Sequence, residues 1–173
     1  MIKPNKPILD SDLEARIDLT ANQVDISDIK KRALVEGYRE QKSRHITILS
    51  SSKVREIIEH TSLDDKALYK KILSLLLRFD WEYEEKDLFH IEKSGYWDGS
   101  DILENREYYI RTIEMPDMKK FYEELDRVFK TNLSVQVPHI TLFTKGEREN
   151  PKYHGIAISS EEKFRNLKPK KVS

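Results

Sequence analysis

One tetrapeptide pattern occurs twice in this chain, as His45-Ile46-Thr47-Ile48 and as His139-Ile140-Thr141-Leu142. It constrains the fold more than any other feature. Runs of β-branched and aliphatic residues favour extended backbone over helix. In a strand, residues i and i+2 face the same way. His and Thr of each copy therefore project together, roughly 6–7 Å apart at their Cα atoms from the strand rise. Ile46 and Ile48, like Ile140 and Leu142, point to the opposite face and into a core. Each copy is a polar pair on a strand with an anchored back, a rigid mount for reactive groups.

The remaining segments mix both periods. Residues 1–10 carry two prolines and read as an extended lead-in. Leu13, Ile17 and Val24 are spaced as for a short helix capped by Asp10 or Ser11. Residues 27–41 read as an amphipathic helix interrupted by Gly37. After the first motif strand, residues 44–50, Val54, Ile57 and Ile58 mark a short helix. Residues 64–79 form the clearest helix, with Leu68, Ile72, Leu75, Leu76 and Phe79 on one face. Residues 81–92 and 107–114 read as strands, with 95–105 as a loop. Pro116 opens a helix over 118–130 with Met118, Phe121, Tyr122, Leu125, Val128 and Phe129 buried. Residues 135–144 form the second motif strand and 155–159 a last strand paired with it. A short helix over 161–167 and a frayed basic tail, 168–173, complete the chain. This order favours an α+β fold with mainly antiparallel pairing.

Composition narrows the function classes. Hydrophobic residues are 38% and charged residues 36%, a foldable balance across 173 residues. Lys+Arg and Asp+Glu are 31 each, so the chain lacks the surplus of cations that coating a long nucleic acid needs. A nucleotide or an RNA end, which needs only a local positive site, stays compatible. There is no cysteine, which excludes disulfides, thiol catalysis and Cys-based zinc sites. The N-terminus has no apolar signal region, and the run around Ile72 to Leu77 is too short to span a bilayer. The expectation is a cytoplasmic protein with no membrane association.

Paired His and Thr suit phosphodiester chemistry. One imidazole activates a hydroxyl or water and a second protonates the leaving oxygen, roles that suit histidine because its unperturbed pKa lies near operating pH. Threonine hydroxyls donate to non-bridging phosphate oxygens as charge develops. A lone strand histidine is usually a packing or surface residue, which is the reading for His60, His90 and His154. Duplication sets His45 and His139 apart. Two strand histidines also suit zinc, but a catalytic zinc site wants a third protein ligand, which only His154 or a carboxylate could supply.

At these residues the chain resembles the two-histidine (2H) phosphoesterases, whose hallmark is a pair of H-x-T/S-x motifs. Members include 2′,3′-cyclic nucleotide phosphodiesterases and "2′-5′ RNA ligase" proteins. The stretch Phe143-Thr144-Lys145-Gly146 through Gly155-Ile156-Ala157-Ile158 is also similar to a small bacterial branch. The resemblance covers about residues 38–167. It leaves residues 1–35 as an N-terminal extension of a single domain spanning 1–173. It implies a bilobal α+β fold: two mainly antiparallel sheets facing across a central cleft, helices outside, one motif strand per lobe. It implies His45 and His139 as catalytic base and acid, Thr47 and Thr141 as substrate-binding residues, and neither metal nor cofactor. The expected activity is opening of 2′,3′-cyclic phosphates, or related cyclic or 2′-5′ diesters, on nucleotides or RNA ends, by a monomer. The alternatives are a non-catalytic module binding a nucleotide or RNA end, and an RNA end ligase.

Weaker candidates surround the motifs. Phe143 would share the face of His139 if alternation held, and could stack on a base, although a core role is commoner for phenylalanine. Lys145, Arg148, Lys152, Tyr153 and His154 precede the last strand, and Tyr38, Arg39 and Arg44 precede the first motif. Each alone reads more readily as ordinary surface than as site. The acidic stretch 80–101, with Glu84 and Glu85, is expected to face away from substrate.

Overall fold

The computed structural model describes residues 1–96, 101–147 and 155–173. Among them the chain forms two antiparallel sheets and five α-helices. The first sheet has three strands in the order β1-β2-β4, namely Ile8–Leu9, Ala15–Leu19 and Arg44–Leu49. The second has five, in the order β3-β7-β6-β5-β8. These are Arg39–Glu40, His139–Gly146, Leu103–Glu114, Glu84–Tyr96 and Lys170–Lys171. The two motif strands, β4 and β7, therefore belong to different sheets.

Residues 1–35 are built into the fold. Ile17 pairs with Ile46 in register, and both are fully buried. The helix expected over Leu13, Ile17 and Val24 is thus a strand. ARIDL alternates, with Ala15 and Ile17 buried and Arg16 and Asp18 half-buried on the other face. Asp10 caps a turn ahead of the strand, not a helix: its Oδ1 accepts from the N–H groups of Asp12 and Glu14. Ile2 is bridged to Tyr83 by reciprocal backbone bonds of 2.7 and 3.1 Å.

The helix expected over 27–41 is short, α1 at Lys30–Val35. Gly37, at φ +84°, turns the chain out of it in a conformation that L side chains disfavour. Ser51–Glu59 forms α2. Asp65–Leu76 forms α3, where the Asp64 side chain accepts from the Ala67 N–H at 2.8 Å as N-cap. Pro116–Phe129 forms α4 with proline in its first turn. Leu68, Ile72 and Leu76 from α3 and Phe121 and Leu125 from α4 are buried with Ile17, Ile46, Ile48, Ile140 and Leu142. One core thus backs both motif strands. A smaller apolar cluster gathers Ile91, Tyr108, Ile110 and Val137 under Ile156 and Ile158, against Phe164 and Leu167 at the last helix, α5, Glu161–Asn166.

Two more expectations change near the C-terminus. Residues 155–159 form no strand, although the Val137 N–H donates to the Ile158 carbonyl at 3.1 Å. The tail is not frayed at Lys170–Lys171, which pair with His90 and Phe89 of β5.

Candidate functional site

Register places the first motif. In β4, Asp18 lies opposite His45 and Arg16 opposite Thr47. Antiparallel partners share a face, so all four side chains stand on the face away from the core. The Thr47 hydroxyl bonds to no described residue. Its carbonyl accepts from Nε2 of the buried Gln136, tying β4 to the segment just before β7.

The second motif occupies β7. Ile140 and Leu142 are fully buried and His139 and Thr141 half-buried, as alternation requires. Beyond Thr141 the register with β6 slips: Ile110 pairs with Thr141, but Tyr109 pairs with Phe143. This bulge at Leu142 resets the alternation. Phe143 turns into the core, fully buried, and is unavailable to stack on a base. Thr144 instead accepts from Nε2 of Gln41 at 2.9 Å.

His45, Thr47, His139 and Thr141 line one cleft of about 330 Å³. Gln41, Ser43 and Glu14 complete one wall, and Gly155, Ile156 and Ala157 another. Ser50 and Ser51 bring the N-terminal end of α2 to the rim, where Glu14 Oε1 accepts from the Ser51 N–H at 3.0 Å. No Lys or Arg lines this cleft among the described residues.

The two imidazoles differ in environment. His139 places Nδ1 2.8 Å from the Val137 carbonyl and Nε2 2.8 Å from the Ile156 carbonyl. A neutral ring carries one N–H, so it can satisfy only one of these acceptors, whereas imidazolium satisfies both. Burial nonetheless pushes the His139 pKa down, against those two bonds, and the positive charge of a protonated His45 lowers it further. His45 is open to solvent. Surrounding protein and then the Arg16 guanidinium push its pKa down, opposed by Asp18, the Ser43 backbone and Glu14. Its exposure to water tempers that effect. The Ser43 bond engages one ring nitrogen of His45.

Gly155 is a site residue that the sequence reading missed. A Cβ there would lie 2.8 Å from Thr141 Oγ1 and 3.3 Å from Thr141 Cβ. The threonine side chain is short and stiff, so only glycine lets segment 155–157 close over it. The Ile156 N–H donates to Thr141 Oγ1 at 3.4 Å, which leaves the hydroxyl proton free to donate elsewhere. Spacing alone carries no signal for this contact. Gln136, Arg16 and Asp18 were likewise invisible without the register.

The weaker candidates mostly lie elsewhere. Tyr38 is buried and donates to Glu107, with His90 Nε2 at 2.9 Å, and Lys145 stands 5.3 Å from its ring centre. Arg44 is buried and holds Glu40. Arg39 is exposed. His60 closes α2, its Nδ1 2.8 Å from the Glu56 carbonyl. Glu84 pairs with Lys86, and Glu85 with Arg111. Arg148, Lys152, Tyr153 and His154 lie outside the described residues. Among the described residues no three His, Asp or Glu side chains cluster to hold a metal, and no helix is long and apolar enough to cross a membrane. Comparison with protein-family models, curated proteins and solved structures gives no match.

Proposed function

We propose that this chain is a phosphodiesterase of the two-histidine kind, opening 2′,3′-cyclic phosphates or related diesters on nucleotides or RNA ends without a metal. The observation that carries the reading is one cleft lined by four polar side chains from two like strands of two different sheets. The sheets would be the two lobes of that fold, one motif each.

The unequal surroundings of the histidines give them different roles. His45, with one nitrogen on the Ser43 backbone and a lowered pKa, is the neutral ring that accepts a proton from water. His139, between two carbonyls, is the protonated ring. Its lowered pKa makes it a stronger acid. Water attacks phosphorus as His45 takes its proton. A P–O bond to water forms, the P–O bond to one ribose oxygen breaks, and His139 delivers a proton to that oxygen. The product is a phosphate monoester. The Ile156 carbonyl holds the place at Nε2 that the leaving oxygen takes. Thr47 and Thr141 hydroxyls donate to the non-bridging oxygens.

The Ile156 contact also favours one second reading, a module that binds a nucleotide or RNA end without turnover, because it occupies Nε2 of His139. Incubation with adenosine 2′,3′-cyclic phosphate in EDTA separates the readings. Formation of a monoester supports the esterase; binding with no product supports the module; activity lost to the chelator overturns metal independence.

A further inference from the structure

Beyond the four motif residues the cleft continues into a groove of about 500 Å³ along β2 and β4. His45, Thr47, Ser43 and Glu14 line both spaces. A ligand confined to the motif residues would leave the larger space empty. The groove contains two cations among its described lining residues, Arg16 and Arg44. Arg44 is buried and bound to Glu40 at 2.5 Å. Arg16 is the accessible one, its side chain 38% exposed.

Arg16 is also held in position. Nε donates to Asp18 Oδ1 at 3.0 Å, and Nη1 to Asp10 Oδ2 at 3.3 Å. Asp10 is itself fixed by the N–H groups of Asp12 and Glu14. These bonds leave Nη2 with no partner among the described residues. A guanidinium held through Nε and Nη1, with Nη2 to spare, suits a phosphate oxygen. Its place opposite Thr47 sets it one residue across the sheet from a proposed phosphate ligand.

We propose that Arg16 is a specificity-determining residue that binds a second phosphate of the substrate, on the 5′ side of the ribose whose cyclic phosphate sits at the two motifs. This rests on the phosphodiesterase reading and names its preferred substrate class: a cyclic phosphate with a neighbouring phosphate, taken in preference to a bare cyclic mononucleotide. That neighbour is either a 5′-monophosphate or the next diester of an RNA chain. Asp10 and Asp18 brace the guanidinium, and Asp18 and Glu14, which line the groove, disfavour an anion that Arg16 does not hold.

The test compares three substrates: adenosine 2′,3′-cyclic phosphate, the same compound with a 5′-monophosphate, and a dinucleotide ending in the same cyclic phosphate. The readout is the ratio of kcat/KM for each phosphate-bearing compound to that for the first. Any effect of Arg16 on His45 itself cancels in the ratio. The wild-type protein should prefer a phosphate-bearing compound, and R16Q should reduce that preference about 10- to 100-fold. R16K should keep part of it. Preference for the dinucleotide alone identifies an RNA end, and for the monophosphate as well, a phosphate of either source. No preference in the wild type, or a ratio that R16Q leaves unmoved, overturns the proposal. If none of the three is turned over, the catalytic reading fails instead. The same ratio is then taken from dissociation constants by calorimetry, where it supports or overturns the role of Arg16 by the same criterion. Thermal unfolding of R16Q and R16K confirms that each variant is folded.

Discussion

In β4 the histidine stands open to solvent, with Asp18 across from it and Arg16 one pair further on. In β7 the same tetrapeptide places its histidine between two backbone carbonyls, with its threonine under Gly155. The strands share a pattern of polar and apolar positions but not an environment. A motif, then, specifies which side chains face the cleft, and the neighbouring strands and segments specify what each one touches. An isolated β4 environment would suit an ordinary surface histidine. The enclosure of His139 is what makes the two surroundings unequal.

The largest expected effect comes from removing either ring. His45→Ala and His139→Ala should each lower kcat/KM about 10²–10⁴-fold, and the double variant should lose much less than the product of the two. Near-full activity in either single variant would sink the assignment. The threonines come next: Thr47→Val and Thr141→Val should each cost about 10- to 100-fold, mainly in kcat. A change confined to KM would make them ground-state binders only.

Gly155→Ala sharpens the contrast between the strands, because the three atoms nearest its Cβ all belong to Thr141. The expected loss is about 10-fold in kcat/KM. It should be much smaller in a Thr141→Ala background, which removes the Oγ1 that the new Cβ meets, than in a Thr47→Ala background. Equal losses in both would mean that Gly155 acts on something other than Thr141.

pH dependence is the next test of the inequality. Both imidazoles titrate below the ordinary value of 6.5. The bell of kcat/KM should therefore be centred on the acid side of 6.5. An optimum at or above pH 7.5 would contradict the lowered values. Stability should show the smallest effect. A histidine with a folded pKa below its unfolded one binds protons more tightly when unfolded. Its neutral form is compatible with the fold above about pH 6.5, and stability is lost as the pH falls from there through the folded value. Denaturant titrations of His139→Gln should show a flatter dependence across that window than wild type. His45→Gln should flatten it less, because water reaches that ring.

Much of this arrangement was legible in particular residues. The polar faces of both motifs follow from a period of two, and the buried stripes of α3 and α4 from a period near 3.6. The failures were equally specific. Leu13, Ile17 and Val24 fit a helical spacing, but Ala15, Ile17 and Leu19 also fit alternation, and pairing with β4 decided for the strand. Phe143 is the core residue that phenylalanine commonly is, but strict alternation would set it beside His139, and only the bulge at Leu142 turns it inward. The basic tail has no apolar pattern of its own, yet Lys170 and Lys171 pair with His90 and Phe89 of β5. In each case a partner distant in sequence outweighed a local preference.

The sequence by itself determined what each motif strand would show to a cleft, since strand alternation is a local property of consecutive residues. Tertiary structure alone decided that the two strands would share one cleft. It also brought Arg16 and Asp18 beside Thr47 and His45, and Gly155 against Thr141. Those are matters of register and close packing between segments far apart in the chain. Such contacts depend on how the whole core closes, and no short stretch of sequence encodes them.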